Sequence, residues 1–423
     1  MEVTQSDTCP YVAVIDWLER KAAMLEVDPE FVKVLSHPAS RLRVHIPALM
    51  DDGSIELFEG LRVQHNNALG PYLGGLRLHP SVSEGSMTVL ATWRTMKNAL
   101  VGVPFGGSQG GIILDPAQYS PKEIERIIRR FTYALGVNIG PEYDVICPDV
   151  NTDSRIMSWV LDTYITTMPP YERERNAHVV TGKPQHLGGI EGWEKASGQA
   201  VVYAIEAWAA EKKFDLKGAT FVMQGFGHTG EWAARLLCQE GMKLVAVRDA
   251  SGAVANPDGI DPEQLSQHVA RHDKIAGFDD AQAIDHAKLF GTKADIFITA
   301  ALSNQINAQT APLLDVRLVV EAADGTTDPQ GDMILQQRKI DLLPDIMCNT
   351  GSSLASYYEW LQNKRSERWD AEEVDIRLKR TVTEAYDEVK AAMDRYEVDR
   401  RTASYISSLF KIEAVYRNRG FYP

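Results

Sequence analysis

The stretch FVMQGFGHTG, residues 221–230, is the one that decides the fold. FVMQ has the length and apolarity of a buried strand. Gly225, Phe226, Gly227, His228, Thr229 and Gly230 follow at once, and a helical pattern then runs to about Glu240. A G-x-G-x-x-G run between a strand and a helix has a specific physical use. Gly225 permits the tight turn, Gly227 lets the backbone approach a pyrophosphate, and Gly230 allows close strand–helix packing. The helix N-terminus supplies unpaired N–H groups for the phosphates. Phe226, His228 and Thr229 complete the turn and count with the glycines as cofactor contacts. KLVAVRD (243–249) is the next strand, and Asp249 at its end suits the ribose hydroxyls. Arg248 beside it suits a 2′-phosphate instead. The cofactor is therefore read as NAD or NADP, with Asp249 tilting the choice to NAD. A glycine turn without a nucleotide is the bland alternative, and the flanking strand and helix argue against it.

Working outward, ADIFITA (294–300) and VRLVVEA (316–322) read as two more buried strands. Their alternation with helices predicts a Rossmann-type, doubly wound parallel sheet. Lys195–Ala210 reads as a helix leading into it. Upstream, RLRVHIPAL (41–49) and SIELFEGLRVQHN (54–66) alternate like strands around the turn Asp51-Asp52-Gly53. Amphipathic helices are expected from about Ser83 to Leu100 and from Pro121 to Val137, with a glycine-rich stretch, Pro104–Gly111, between them. A further helix is expected over residues 10–35, where Val12, Ile15, Trp17 and Leu18, then Ala22 and Leu25, form a stripe after Pro10. From Tyr357 the chain is charged and helical until Gly420. The organisation expected is α/β with two domains. Residues 1–192 form a mixed-sheet substrate and oligomerisation domain, and residues 193–355 a dinucleotide-binding domain. Residues 356–423 are C-terminal helices packing back on the first.

Composition narrows the function classes. A chain of 423 residues exceeds one compact core. The net charge of −14 argues against nucleic acid or an anionic membrane as partner and leaves a small-molecule substrate. Apolar runs fall short of a membrane span, and MEVTQSDTCP carries no basic-then-apolar signal, so a cytoplasmic location is expected. Cys9, Cys147, Cys238 and Cys348 form no C-x-x-C pair, and neither a metal site nor a disulfide framework is expected. His178 and His186, near the TGKP loop, read as solvated or capping residues.

Several segments, in order, resemble the glutamate/leucine/phenylalanine/valine dehydrogenase family, nearest its glutamate branch. They are GPYLGGLRLHPSV (70–82), MKNAL (96–100), PFGGSQGGI (104–112), CPDVNT (147–152) and VVTGKPQHLGG (179–189). AALSNQI (300–306), LPDIMCNTG (343–351) and SYYEWLQN (356–363) extend the match over nearly the whole chain. The resemblance implies a substrate domain, a dinucleotide domain and a cleft between them. It also implies a homo-oligomer, usually a hexamer in the glutamate branch. The implied chemistry is reversible oxidative deamination: hydride moves between the nicotinamide and an amino acid's α-carbon, and water releases ammonia from the imine. By the same resemblance Lys97 holds the α-carboxylate and Asp149 relays protons. Ser197 and Asn304 belong to the cofactor side, and Ser356 lines the side-chain pocket.

Three positions depart from the family pattern. Gln109 stands where the family has its catalytic lysine, and an amide can orient a reacting group but has no proton to exchange. Leu73 stands where glutamate dehydrogenases place a lysine for the distal carboxylate. Asp324 replaces an asparagine that helps grip the α-carboxylate, so it would repel a carboxylate or pair with Lys97. The expected function is an NAD(P)-dependent oxidoreductase acting on CH–NH2 donors, with an atypical pocket and a substrate other than glutamate. The alternatives are a catalytically silent regulatory or binding paralogue, and an ordinary amino-acid dehydrogenase with relocated catalysis.

Overall fold

The computed structural model describes residues 27–301 and 303–420. Most of the helix expected over 10–35 lies outside them; its end is a short helix, α1 (Pro29–Leu35), capped by the Asp28 carboxylate. The described residues form two compact units: residues 27–193, 353–374 and 405–420 in the first, and 194–301, 303–352 and 375–404 in the second.

The first unit is built on a five-stranded mixed sheet in the order β1-β2-β4-β3-β5. β1 (Ser40–Leu49) and β2 (Ile55–Asn66) form the antiparallel hairpin that the Asp-Asp-Gly turn signals. β3 (Tyr72–Leu78), β4 (Gly106–Ile112) and β5 (Asp144–Pro148) run parallel to one another. Helix α2 (Glu84–Leu100) starts where Ser83 and Ser86 form a capping box. α3 (Pro121–Leu135) has the same device in Ser120 and Glu123, with proline at its first position. α4 (Ser154–Thr166) is capped by Asp153. Together α3 and α4 cover one face of the sheet with Ile127, Ile128, Phe131, Met157 and Val160.

The glycine-rich stretch is a fully buried central strand, β4, rather than a connection between helices. Glycine is disfavoured in strands on average, but here neighbours come too close for a side chain. A Cβ on Gly107 would lie 2.3 Å from the Ala91 carbonyl oxygen of α2.

The second unit is a seven-stranded sheet in the order β12-β11-β10-β6-β7-β8-β9. The preceding helix is α5 (Trp193–Lys212). β6 (Thr220–Gln224), α6 (His228–Gln239) and β7 (Lys243–Asp249) occupy the stretch read as strand, helix and strand. β8 (Gly252–Ile260) and β9 (Gln282–Ile284) add two antiparallel strands beyond β7. They flank α7 (Pro262–His272), and α8 (His286–Phe290) follows. β10 (Ile296–Thr299), β11 (Leu318–Glu321) and β12 (Asp341–Leu343) complete the parallel part, with α9 (Pro329–Gln337) before β12. The doubly wound core is thus as expected, and the mixed edge is added to it.

α10 (Asp345–Cys348) and α11 (Gly351–Arg365) follow, then α12 (Ala371–Tyr396) and α13 (Arg400–Arg419). The expectation that residues 356–423 return together to the first unit differs from this arrangement. Residues 375–404 cluster with the second unit. Polar anchors account for it: Tyr203 Oη donates to Asp375 at 2.6 Å, and Arg401 pairs with buried Glu321 at 2.8 and 2.9 Å. The end of α13 belongs to the first unit, where Ser408 Oγ donates to the Met96 carbonyl at 3.0 Å.

Candidate functional site

The sequence-predicted residues fall into two groups, one in each unit. In the first unit, strand alternation puts Leu73, Gly75 and Arg77 on one face of β3. Leu73 is completely buried. Gln109, on β4, is 2% exposed, so its amide must find partners inside. Its Oε1 accepts from the Gly75 N–H at 3.1 Å, and its Nε2 donates to Asp149 Oδ2. Asp149 lies just past β5, with its own N–H donating to Thr152 Oγ1 at 2.8 Å. Arg77 grips the same carboxylate with two bonds, Nε to Oδ2 and Nη2 to Oδ1, each 3.2 Å. Gly75 must lack a side chain here, because a Cβ would meet the Asp149 Cβ at 2.7 Å.

The structure brings Gln109 and Asp149 together, and Arg77 joins them. Arg77 was not among the residues singled out, although its spacing from Leu73 on one strand face was visible in GPYLGGLRLHP. The arrangement has a chemical consequence. One carboxylate is flanked by a permanent cation and an amide, and neither neighbour exchanges a proton near neutral pH. Of the three, Asp149 alone carries a carboxylate that can act as a base.

Lys97 sits in the last turn of α2 and is 2% exposed. Ser356, on α11, is completely buried, and among the described residues its Oγ has no hydrogen-bond partner. A buried hydroxyl left unsatisfied costs about 1–3 kcal/mol. Beneath these residues, Arg62 of β2 is fully buried and pairs with Asp144 of β5 at 2.5 and 2.9 Å. Arg62 also donates to the Gly75 carbonyl at 2.9 Å and to Ser108 Oγ at 2.8 Å. One guanidinium thus ties together β3, β4 and β5. A second buried pair, Lys183 with Glu359 at 2.7 Å, fixes the TGKP loop to α11. His178, expected to be solvated, is instead buried and meets Glu142 at 3.1 Å; burial pushes its pKa down, and Glu142 opposes that. His186 is exposed.

In the second unit the glycine motif has the geometry its spacing implies. Gly225 has φ +96°, which favours glycine, and its N–H donates to the Arg248 carbonyl at 2.7 Å. Gly230 leaves no room for a side chain, since a Cβ would lie 2.2 Å from the Gly225 carbonyl oxygen. Gly227 is different: a Cβ there would meet nothing within 4 Å. Gly227 is also the N-cap of α6, and no side chain caps that helix. Open space beside uncapped N–H groups is what a pyrophosphate requires, so these residues fit a dinucleotide. His228 is exposed, Thr229 half-buried, and Phe226 packs into the core.

Asp249 is held by its own loop. Its Oδ1 accepts from the Ser251 N–H at 2.7 Å and from Ser251 Oγ at 2.5 Å, and Oδ2 accepts from the Ile275 N–H at 3.0 Å. A carboxylate offers about four acceptor directions, so capacity remains. The pKa of His286, on α8, is lowered by burial first and by the charge of Arg248 second. Asn304 has φ +59°, and its N–H donates to the Gly325 carbonyl at 2.9 Å. This bond links it to the loop carrying Asp324, whose Oδ1 accepts from Asn349 Nδ2 at 2.9 Å. Ser197, on α5, is half-buried, and its Cα would be 2.7 Å from a Cβ on Gly351. Among the described residues no three or more His, Cys, Asp or Glu side chains are grouped to hold a metal. No helix among them is long and apolar enough to cross a membrane.

The motif yields a direct prediction. Gly230→Ala forces a methyl group into the Gly225 carbonyl and displaces the turn. Overpacking of this kind costs about 1–3 kcal/mol. Dinucleotide affinity, measured by fluorescence titration, is expected to fall by about 10- to 100-fold, with the far-ultraviolet circular dichroism unchanged.

Comparison with known proteins agrees with both halves. Residues 38–166 match the Glu/Leu/Phe/Val dehydrogenase dimerisation domain, and residues 188–420 match Glutamate/Leucine/Phenylalanine/Valine dehydrogenase. The glutamate dehydrogenase of Thermotoga maritima is 38% identical over 414 residues, which is 98% of this chain and 99% of that one. The NAD-specific glutamate dehydrogenase of Staphylococcus aureus (strain COL) is 36% identical over 397 residues, 94% of this chain and 95% of that one. Among solved structures, the hetero-hexameric glutamate dehydrogenase of Thermus thermophilus in its Leu-bound form superposes with a TM-score of 0.94. It is 33% identical, and all of each chain is covered. With a glycine turn shaped for a nicotinamide dinucleotide and matches of this extent on both sides of it, the chain belongs to the glutamate/leucine/phenylalanine/valine dehydrogenase family of amino-acid dehydrogenases, nearest the glutamate branch.

Proposed function

We propose that the protein is an NAD(P)-dependent oxidoreductase acting at the amine-bearing carbon of an amino acid other than glutamate, with NAD as its working cofactor. The observation that carries this reading is the Arg77–Asp149–Gln109 cluster, which keeps one proton-exchanging carboxylate where the family chemistry needs a general base. Lys97 supplies the cation for the α-carboxylate. A bound nicotinamide dinucleotide supplies the hydride acceptor. Asp149 takes the proton that leaves the amine as the α-carbon loses its hydride, and later serves the water that adds to the imine carbon. Gln109 orients the reacting group through its amide while Gly75 fixes the amide's other end. Arg77 holds Asp149 in place with two bonds to its carboxylate. The buried aliphatic Leu73 argues against a distal carboxylate at that wall, because a buried carboxylate without a partner is costly. Asp249, ordered by three donors, is an acceptor for ribose hydroxyls and repels a 2′-phosphate, which favours NAD. The family's dimerisation domain supports an oligomer, and a hexamer is proposed by analogy with the Thermus protein.

A second reading rests on one specific observation. Gln109 is bonded at both ends of its amide, to Gly75 and to Asp149, so the position is built around an amide and not vacated by chance. A silent regulatory subunit has the same need, and the structural relative with complete mutual coverage is a hetero-hexamer described in a Leu-bound form.

One experiment separates the two. Reduction of NAD and NADP is followed spectrophotometrically on the purified chain with a panel of α-amino acids and simple amines. The first reading predicts turnover with at least one donor and a slower rate with glutamate. Dinucleotide binding with no turnover on any donor, together with tight association with a paralogue carrying lysine at the position of Gln109, would replace it with the second.

A further inference from the structure

Three donors already use Asp149. Arg77 Nε and Gln109 Nε2 both bond Oδ2, and Arg77 Nη2 bonds Oδ1. A carboxylate offers about four acceptor directions, so one remains for a ligand, on Oδ1. The Gln109 oxygen is taken by the Gly75 N–H. Thr152 Oγ1 accepts the Asp149 N–H and donates to the Leu76 carbonyl at 2.8 Å. On α2, Lys97 and Arg94 bring N–H donors and no acceptor, and Arg94 Nη1 donates to Ser353 Oγ of α11 at 2.8 Å. Cys147, two residues before Asp149, is completely buried, and burial pushes its pKa up against the charge of Arg94, so it stays a thiol. Among the described residues bonded to Asp149, none other is a base.

A primary amino acid asks that one carboxylate to work repeatedly. Its ammonium must lose a proton before the hydride leaves. The imine carbon then takes water, whose protons need a base while the nitrogen gains a proton to depart as ammonia. A secondary amine closed into a ring with its own side chain asks for a single transfer. Its ammonium gives one proton to Asp149 Oδ1. The nitrogen lone pair then becomes the second bond of C=N as the α-carbon's hydride leaves for NAD. The two-electron oxidation of the amine matches the reduction of NAD to NADH, and nothing is added or expelled. The ring also keeps C=N closed in water, because amine and carbonyl would be held together at a high effective concentration. A secondary ammonium offers two N–H groups and a primary one three, so a single free acceptor leaves fewer of them unpaired. Fully buried Leu73 gives the ring methylenes an aliphatic wall.

We infer that the donors are cyclic secondary α-amino acids with five- or six-membered rings, oxidised reversibly to 2-carboxy cyclic imines without water addition or ammonia release. This rests on the proposed reading that Asp149 is the base and Lys97 holds the α-carboxylate. Replacing a second base by Gln109 then costs little, because the step that base would serve does not occur.

The full-length protein with NAD is given proline and pipecolate. Norvaline and norleucine are their open-chain primary counterparts of equal carbon number. NADH is followed spectrophotometrically and ammonia is assayed. The ring product is captured with borodeuteride, which returns the amino acid carrying one deuterium. A cyclic donor is expected to exceed its counterpart in kcat/KM by at least about 100-fold, the scale of one general acid or base, with no ammonia formed. Calorimetry on the protein without cofactor is a second readout, in which the cyclic acid should bind about 5- to 10-fold tighter. Gln109→Lys supplies a second base and should lower the cyclic-to-open ratio of kcat/KM by at least about 10-fold. Open-chain donors that turn over as well as cyclic ones, with one ammonia per NADH, overturn this inference and leave the proposed reaction standing. Equal binding of the two kinds, or an unchanged ratio in folded Gln109→Lys, also overturns it. No hydride transfer from either kind sinks the proposed reaction and this inference with it.

Discussion

Asp149→Asn is expected to lower kcat by about 10²- to 10⁴-fold, the loss typical of removing a general acid or base. The case for so large an effect is that the neighbouring groups cannot substitute. Gln109 carries no titratable proton, and the guanidinium of Arg77 has donors but no acceptor. An asparagine of the same shape still accepts one bond from Arg77 through its oxygen, but it presents an NH2 group where the other oxygen was. The amide of Gln109 then faces a donor instead of an acceptor, unless one of the two amides turns. Stability should change little, because Arg77 and Asp149 are both about one-fifth exposed and water can compensate. The dissociation constant for the dinucleotide should be unchanged, since no residue of the glycine motif is touched. Stopped-flow and steady-state kinetics on the best donor check the split. A kcat within a few-fold of the unaltered protein would remove Asp149 from the proton path and with it the proposed mechanism.

Different parts of this molecule were legible to different degrees, for physical reasons. The turn at 225–230 was readable because its glycines answer local demands: a positive φ at Gly225 and the lack of room at Gly230 are set within six residues. Helix starts were readable for the same reason, since Ser83 and Ser120 bond backbone groups three residues on. β4 was not legible as a strand. Its glycines answer contacts with α2 and β2, which are packing partners outside the strand itself, and local propensity points the other way. The β8–β9 edge was hidden by SGAVANPDGI, which reads as a turn; Pro257 falls where the β7–β8 register shifts, so it interrupts no ladder bond there. The division of the helical tail was also hidden, because long amphipathic helices announce a buried face without naming what buries it. At the site, Lys97, Gln109 and Asp149 were visible through family resemblance. Arg77, Arg94 and Arg62 were not, since their partners come from other strands and helices.

Arg62 carries the other large effect. Arg62→Met keeps the side chain's volume but leaves Asp144 as a fully buried carboxylate without its cation. Two donors would remain, Gln64 Nε2 at 2.9 Å and Ser108 Oγ at 2.7 Å. They reduce the penalty, and they cannot cancel a full charge in a low-dielectric interior. Removing one partner of a buried pair costs about 3–5 kcal/mol. For a unit of this size that lowers Tm by roughly 6–20 °C, at about 2–4 °C per kcal/mol. A companion variant tests the cause. In Arg62→Met with Asp144→Asn, the stranded charge is gone, and much of the lost stability should return. The carbonyls of Gly74 and Gly75 still lose their donor in both variants, so recovery should be incomplete. Because Gly75 also donates to Gln109, the single variant should disturb Gln109 and Asp149 as well as the fold. Differential scanning calorimetry of the three proteins, with kcat measured well below the lowered Tm, separates the two consequences. A single variant that melts within 2–3 °C of the parent would mean that water or a rearranged Gln64 neutralises Asp144, and that the strands beneath the site are held by packing alone.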